Sequence, residues 1–148
     1  MVEWLNEKEQ TAWRSFLTGQ ALVLDAINHD LATDSGLTLN EYEVLVRLSE
    51  SPDRQLRMSH LAENLVHSRS RLTHTVKRLE KEGFVLRAPC PDDRRGIICK
   101  LTDDGFAKLE KTAPQHVESV RRHLISHLDA EEFLKFGRVL KKLIDAQE

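Results

Sequence analysis

Apolar residues recur at three- and four-residue spacing over most of the chain, and short polar clusters interrupt them. Trp13, Phe16, Leu17, Leu24, Ile27 and Leu31 form one stripe, which predicts a long helix from Glu7 to about Thr33 ended by Asp34-Ser35-Gly36. Thr38 stands three residues before Glu41, a capping-box spacing in which each side chain satisfies the other's free backbone amide. A second helix therefore follows through Tyr42, Leu45 and Leu48 to Ser49. Beyond the Ser51-Pro52-Asp53 turn, Met58, Leu61, Ala62 and Leu65 predict a short third helix, capped by Ser59 or entered just before it. Val66-His67 is a brief link, and Ser68 can cap a fourth helix through Glu82 whose Leu72, Val76 and Leu79 fall at i, i+4 and i+7. Gly83 supplies the left-handed stop.

The character of the chain then changes. Phe84 to Cys90 and Ile97 to Thr102 are β-rich and flank Pro91-Asp92-Asp93-Arg94-Arg95-Gly96, which predicts a small antiparallel ribbon with a charged tip. Thr102, Asp103 or Asp104 starts a fifth helix carrying Phe106, Leu109, Ala113, Val117, Val120, Leu124 and Leu128, with Pro114 forcing a kink or local break. Asp129 begins a sixth, on which Phe133, Phe136, Leu140 and Leu143 repeat the amphipathic spacing. The predicted class is mainly α, of the α+β winged-helix kind: six helices with a two-stranded β wing, in one domain spanning the 148 residues.

Composition adds exclusions. The longest apolar run is Ala21 to Leu24, far short of the roughly 20 residues that span a bilayer, and Met1-Val2-Glu3-Trp4 lacks the cationic, apolar pattern of an export signal. A soluble, cytoplasmic protein with no membrane partner is expected. Cys90 and Cys99 are too few for a disulfide scaffold and lack CxxC spacing, so reduced thiols are expected. There is no nucleotide loop, no GxSxG and no paired carboxylates tied to a base, so neither an enzyme nor a cofactor is expected.

Charge is unevenly distributed. The formal net charge is -2, yet residues 53–100 hold 11 Lys and Arg against 6 Asp and Glu, a local +5 that leaves -7 for the remainder. A basic segment between acidic flanks suits a polyanion, because each phosphate neutralised releases condensed counterions. On the fourth helix, 100° per residue with Leu72, Val76 and Leu79 facing inward places Ser70, His74, Lys77 and Lys81 opposite, flanked by Arg71, Thr73 and Arg78. Such a face can enter a major groove, where Arg71 is the leading base reader. Ser70, Thr73 and His74 can reach base edges, and Arg69, Lys77 and Arg78 suit phosphates. Arg94 and Arg95 at the ribbon tip can reach a minor groove or the sugar-phosphate edge, with Arg95 in the groove. Asp93 repels DNA and is assigned to the ribbon itself, either pairing with a nearby arginine or making an Asx turn.

The helix-turn-helix from Met58 to Glu82, the wing Asp93-Arg94-Arg95-Gly96-Ile97-Ile98-Cys99-Lys100-Leu101-Thr102 and the helical flanks together resemble the MarR family of bacterial transcription regulators. The resemblance implies a winged helix-turn-helix DNA-binding region at residues 37–102 and a helical dimerisation region at 1–36 and 103–148, intertwined with that of a second copy. It implies a sequence-specific regulator, more often a repressor, that binds a pseudo-palindromic operator as a homodimer and is released by a small-molecule effector or by oxidation. The alternative class is a winged-helix protein-interaction module without specific DNA binding.

The resemblance also implies an effector pocket between the dimerisation helices and the winged region, where Trp13, Arg14, Phe16 and Tyr42 are candidate contacts. An Arg beside a Trp suits an aromatic carboxylate, while Trp13 and Phe16 also lie on the apolar stripe and suit packing. Cys90 and Cys99 bracket the wing and are candidate redox residues, since Arg87, Arg94 and Lys100 nearby can lower a thiol pKa. Their offset in a hairpin centred on the tip opposes a direct disulfide. His123 and His127 have the i, i+4 spacing of two ligands on one helical face, with His116 as a third candidate. Two ligands make no site, and no metal is assigned.

Overall fold

A computed structural model describes residues 1–63, 65 and 69–148, the side chain of Arg69 excepted. Among these residues the order is α1 (Glu7–Ser35), α2 (Leu39–Ser49), a 3-10 turn (Pro52–Arg54), β1 (Gln55–Arg57), α3 (Met58–Glu63), α4 (Arg69–Lys81), β2 (Val85–Pro89), β3 (Ile97–Leu101), α5 (Asp103–His123), a 3-10 turn (Ile125–His127) and α6 (Ala130–Gln147). The six expected helices are present. The Val66-His67 link and the Ser68 cap lie outside the described residues.

Local chemistry sets most boundaries. α1 stops where Gly36 takes φ of 75°, and α4 ends before Gly83 at φ 82°, conformations that cost glycine little. Thr38 and Glu41 form the capping box at the start of α2, and Asp129 and Glu132 form the same device at the start of α6. Thr102 starts α5: its Oγ1 accepts the Gly105 amide at 3.0 Å and donates to the Gly83 carbonyl at 2.7 Å. A Cβ built on Gly105 would stand 2.1 Å from the Phe84 carbonyl oxygen, so only glycine lets this turn of α5 lie against the turn between α4 and β2.

The predicted two-stranded ribbon is present as β2 and β3, and a third strand extends it. The sheet has three antiparallel strands in the order β1-β3-β2, with Leu56 opposite Cys99 and Cys99 opposite Arg87. The strand Gln55–Arg57 is three residues long and its partner lies about forty positions away, so no local period announces it. The chain enters it through two consecutive left-handed residues, Asp53 at φ 56° and Arg54 at φ 55°. The second is held in place, with the Arg54 guanidinium 3.7 Å from the centre of the Phe106 ring and 4.0 Å from Asp103.

Pro114 lies within α5, which is continuous from Asp103 to His123, so the local break that the proline allowed is not present. One boundary is corrected. The helix ends earlier than the apolar spacing suggested, leaving Leu124 beyond its last turn and Leu128 after the 3-10 segment.

The chain forms two compact units, one from residues 31–114 and one from residues 1–30 with 115–148. The first is the winged unit. Its core is Val44, Leu45, Leu48, Leu61, Leu72, Val76, Leu79, Val85 and Cys99, all fully or almost fully buried, and each large aliphatic contributes about 1.5–3 kcal/mol by leaving water. The second unit is helical. Its apolar residues are mostly exposed, among them Trp13, Phe16, Leu17 and Leu24 on α1 and Leu134, Phe136, Val139, Leu143 and Ile144 on α6.

Candidate nucleic-acid interface

The recognition helix is α4, and its two sides divide as its sequence predicts. Leu72, Val76 and Leu79 are buried, whereas Ser70, Arg71, Thr73, His74, Lys77, Arg78 and Lys81 are exposed. Thr75 is the exception among its polar residues: it is buried, and its hydroxyl donates back to the Arg71 carbonyl at 3.0 Å. The apolar side seats the helix, so the polar side is presented as a fixed array.

Two carboxylates fix that array. On one side the buried Glu41 forms an ion pair with Arg78, Oε2 lying 3.2 Å from Nε, while its Oε1 accepts the Thr38 amide at 2.7 Å. A single side chain therefore completes the α2 cap and ties α2 to α4. On the other side Glu80 accepts from the Arg87 amide at 3.1 Å and from its Nη2 at 3.0 Å, tying α4 to β2. These hydrogen bonds from Arg87 hold the Glu80 carboxyl below its usual pKa. Arg78, predicted as a phosphate contact, thus pairs ionically with Glu41, and its side chain is still largely exposed. Neither tie was evident from the sequence, although Glu41 was already marked as the cap.

At the other end of the winged unit, the turn at residues 91–96 carries Arg94 and Arg95 into solvent. Asp93 makes the Asx turn: its Oδ1 accepts the Arg95 amide at 3.0 Å and its carbonyl accepts the Gly96 amide at 2.9 Å. The acidic residue in this cationic tip therefore shapes the turn that aims the arginines.

For Cys99 the structure departs from the expectation of an activated thiol. Both cysteines are buried and unbridged. Cys90 lies past the end of β2, its amide donating to the Gly96 carbonyl at 2.8 Å, and Cys99 sits opposite Arg87, so the predicted offset is present. Burial pushes the Cys99 thiol up to about 12, and the lowering by Arg87 is the smaller effect. For Cys99 the predicted lowering by basic neighbours is thus reversed.

The candidate effector residues divide between the units. Trp13 and Phe16 stack on α1 with ring centres 5.9 Å apart, and Arg14 donates to Gln10 one turn away at 3.4 Å. Tyr42 belongs to the winged unit, where it is buried, and burial raises its pKa. The histidine pair loses its helical face: α5 ends at His123, and His127 lies in the following 3-10 turn. Instead His123 Nε2 lies 2.9 Å from Asp30 Oδ2. The same oxygen accepts from Ser119 at 2.6 Å and from Arg122 at 2.7 Å. His116 is half-buried on α5, and burial lowers its pKa. Among the described residues, no three of His, Cys, Asp and Glu come together as metal ligands, and no helix is long and apolar enough to cross a membrane.

Comparison with known proteins gives this geometry a family. The family model for the MarR family matches residues 37–97. A MarR family transcriptional regulator from Streptomyces coelicolor, solved in complex with DNA, is 39% identical over 99% of this chain and 92% of its own, with a TM-score of 0.96. AbsC, a MarR family transcriptional regulator of the same organism, is 41% identical over 99% of this chain and 98% of its own, with a TM-score of 0.92. The HTH-type transcriptional regulator PecS of Dickeya dadantii is 28% identical over 97% of this chain and 92% of its own length. The fold, its buried α4 seat and these relatives agree: the chain belongs to the MarR family and is a DNA-binding transcriptional regulator, not an enzyme.

Proposed function

We propose that this regulator acts as a repressor, binding a pseudo-palindromic operator as a homodimer and released by a small-molecule effector. The observation that carries the DNA part is the division of α4 into a buried apolar side and an exposed side holding Ser70, Arg71, Thr73, His74, Lys77 and Arg78. In this reading Arg71 forks onto a guanine edge, Ser70, Thr73 and His74 touch neighbouring bases, and Arg69, Lys77 and Arg78 hold phosphates. Arg94 and Arg95 follow the flanking minor groove, with Asp93 holding the turn.

The exposed apolar faces of α1 and α6 support the homodimer, because a second copy would cover them. Two-fold symmetry would set identical recognition helices about one DNA turn apart, roughly 34 Å, hence a palindromic site. The stacked Trp13 and Phe16 beside Arg14 support an aromatic carboxylate as the effector class. Release by oxidation is the weaker branch, because the Cys99 thiol is buried and its pKa raised.

Fluorescence anisotropy with DNA from upstream of the protein's own gene and a shuffled duplex, across several salt concentrations, tests the central claim. Tighter binding to the native duplex, falling with salt, supports it. Absence of binding to either duplex, with a salt-insensitive protein complex in its place, moves the interaction-module reading ahead. A thermal-shift screen of aromatic acids tests the effector, and a screen without a stabilising hit counts against that class.

A further inference from the structure

We propose that β1 is part of the DNA-gripping edge, with Arg57 as a preorganised contact for a backbone phosphate between the helix-turn-helix and the wing. The proposal rests on the DNA-binding reading and extends it to a strand that the charged helix and the wing tip leave out of account.

Among the described side chains, three arginines of the winged unit are half-buried against its framework: Arg54, Arg57 and Arg87. Two have a carboxylate, Asp103 at 4.0 Å for Arg54 and Glu80 at 3.0 Å for Arg87. Among the described residues, Arg57 has no carboxylate within 4 Å. A guanidinium partly withdrawn from water without a counter-charge is a net cost to the free protein, and an arriving anion offsets it.

Its position is fixed by the wing. Arg57 pairs with Ile98 across the β1-β3 ladder, and its Nη1 lies 3.3 Å from where a Cβ on Gly96 would be. The same Cβ would stand 3.4 Å from Cys90 Cβ, so a side chain at this position fits only if the Arg57 guanidinium gives way by a few tenths of an ångström. Gly96 is not in the left-handed region, and its missing side chain serves here to let the arginine lie against the turn that carries Arg94 and Arg95. Beside Arg57 opens a cleft of about 190 Å³ lined by Gln55, Leu56, Arg57, His60 and Ile98. It has room for a phosphate group, and Gln55 and His60 add hydrogen-bonding capacity along its wall. His60 lies on α3, the first helix of the helix-turn-helix, the element that crosses the DNA backbone in this motif.

The chemistry recognised is a phosphate monoanion, which a DNA backbone or free inorganic phosphate can supply. The test compares wild type, Arg57→Gln, Gly96→Ala and the double variant on a duplex that the wild type binds, with circular dichroism confirming the fold of each. Arg57→Gln should weaken matched and shuffled duplexes alike by about three- to tenfold, and lower the slope of log affinity against log salt by about 0.9, one phosphate's share. Gly96→Ala should weaken binding in the wild-type background and add nothing to Arg57→Gln, because it acts by displacing the guanidinium. Arg57→Lys should recover part of the affinity. Inorganic phosphate, set against chloride at equal ionic strength, separates the sources. Selective competition by phosphate on the wild type but not on Arg57→Gln shows a site that also takes the free anion; no selective competition leaves the backbone as its ligand. An unchanged affinity and salt slope in Arg57→Gln overturns the proposal while leaving DNA binding by α4 intact. Failure of the wild type to bind DNA overturns the reading beneath it as well.

Discussion

The winged unit and the helical unit treat apolar residues in opposite ways. In the winged unit Leu45, Leu48, Leu61, Leu72, Val76 and Leu79 are at most 1% exposed, so one chain completes its own core. In the helical unit Trp13 is 50% exposed, Phe136 43% and Leu143 51%, although they lie on amphipathic helices of ordinary pattern. Periodicity says only that a helix has an apolar side; the structure says whether the same chain covers it. The winged unit is a finished object that can present α4 rigidly, whereas the helical unit leaves apolar surface exposed, the face that the proposed homodimer would cover.

The largest effect is expected from removing the face that the proposed homodimer would use. Deleting residues 133–148 takes away most of α6 with Phe136, Val139, Leu143 and Ile144. The truncated chain should run as a monomer or aggregate in size-exclusion chromatography, and its operator affinity should drop toward the non-specific level, about a thousandfold or more. A soluble truncated dimer with normal operator affinity would refute the assignment of the helical unit to dimerisation.

Single substitutions sharpen the same contrast. Leu79→Ala empties a fully buried position of the winged core and should cost about 2–5 kcal/mol in urea unfolding, independent of protein concentration. Leu143→Ala removes the same atoms from a half-exposed position of α6. Its cost should be small in dilute protein and grow with concentration as dimers form. Equal, concentration-independent costs for the two would show that the helical face is not completed by association.

Smaller still is the effect on recognition. Arg71→Ala should weaken the operator by about 1–3 kcal/mol and relax the preference at one base pair, while Lys77→Ala should weaken all duplexes alike. Anisotropy against single-base operator variants separates the two, and a uniform loss for Arg71→Ala would make it another phosphate contact.

How much of this was legible beforehand depends on the range of the interaction. Thr38 with Glu41, Asp129, and the glycines at 36 and 83 act within a few residues, and each sets the boundary expected of it, with Glu132 completing the Asp129 cap in the structure. The buried side of α4 followed from period alone. The third strand was missed because Gln55–Arg57 finds its partners at Ile98–Lys100, a pairing that no local pattern encodes. The same holds for Glu41 with Arg78 and Glu80 with Arg87, which fix the recognition helix. The thiol shift was misjudged because basic neighbours are visible in a sequence and burial is not: Cys99 lies beside Arg87, yet desolvation wins. The i, i+4 histidines failed because the helix turned to 3-10 geometry between them.

The helical unit does contain one strongly polar connection. Asp30 on α1 accepts from Ser119, Arg122 and His123 on α5 through the same oxygen. The hydrogen bond from Ser119 is the largest influence, then that from His123, with Arg122 adding to both, and they hold the Asp30 carboxyl at about 2 against an ordinary 3.8. A carboxylate whose pKa is lowered on folding binds protons more readily in the unfolded chain. Its contribution to stability is therefore complete above pH 3.8 and is lost as pH falls from there toward 2. Asp30→Asn should lower the urea midpoint at pH 6, and the gap from wild type should narrow between pH 4 and 2.5 as the wild type loses the charge. A gap independent of pH would mean that the helices are joined here by neutral hydrogen bonds alone.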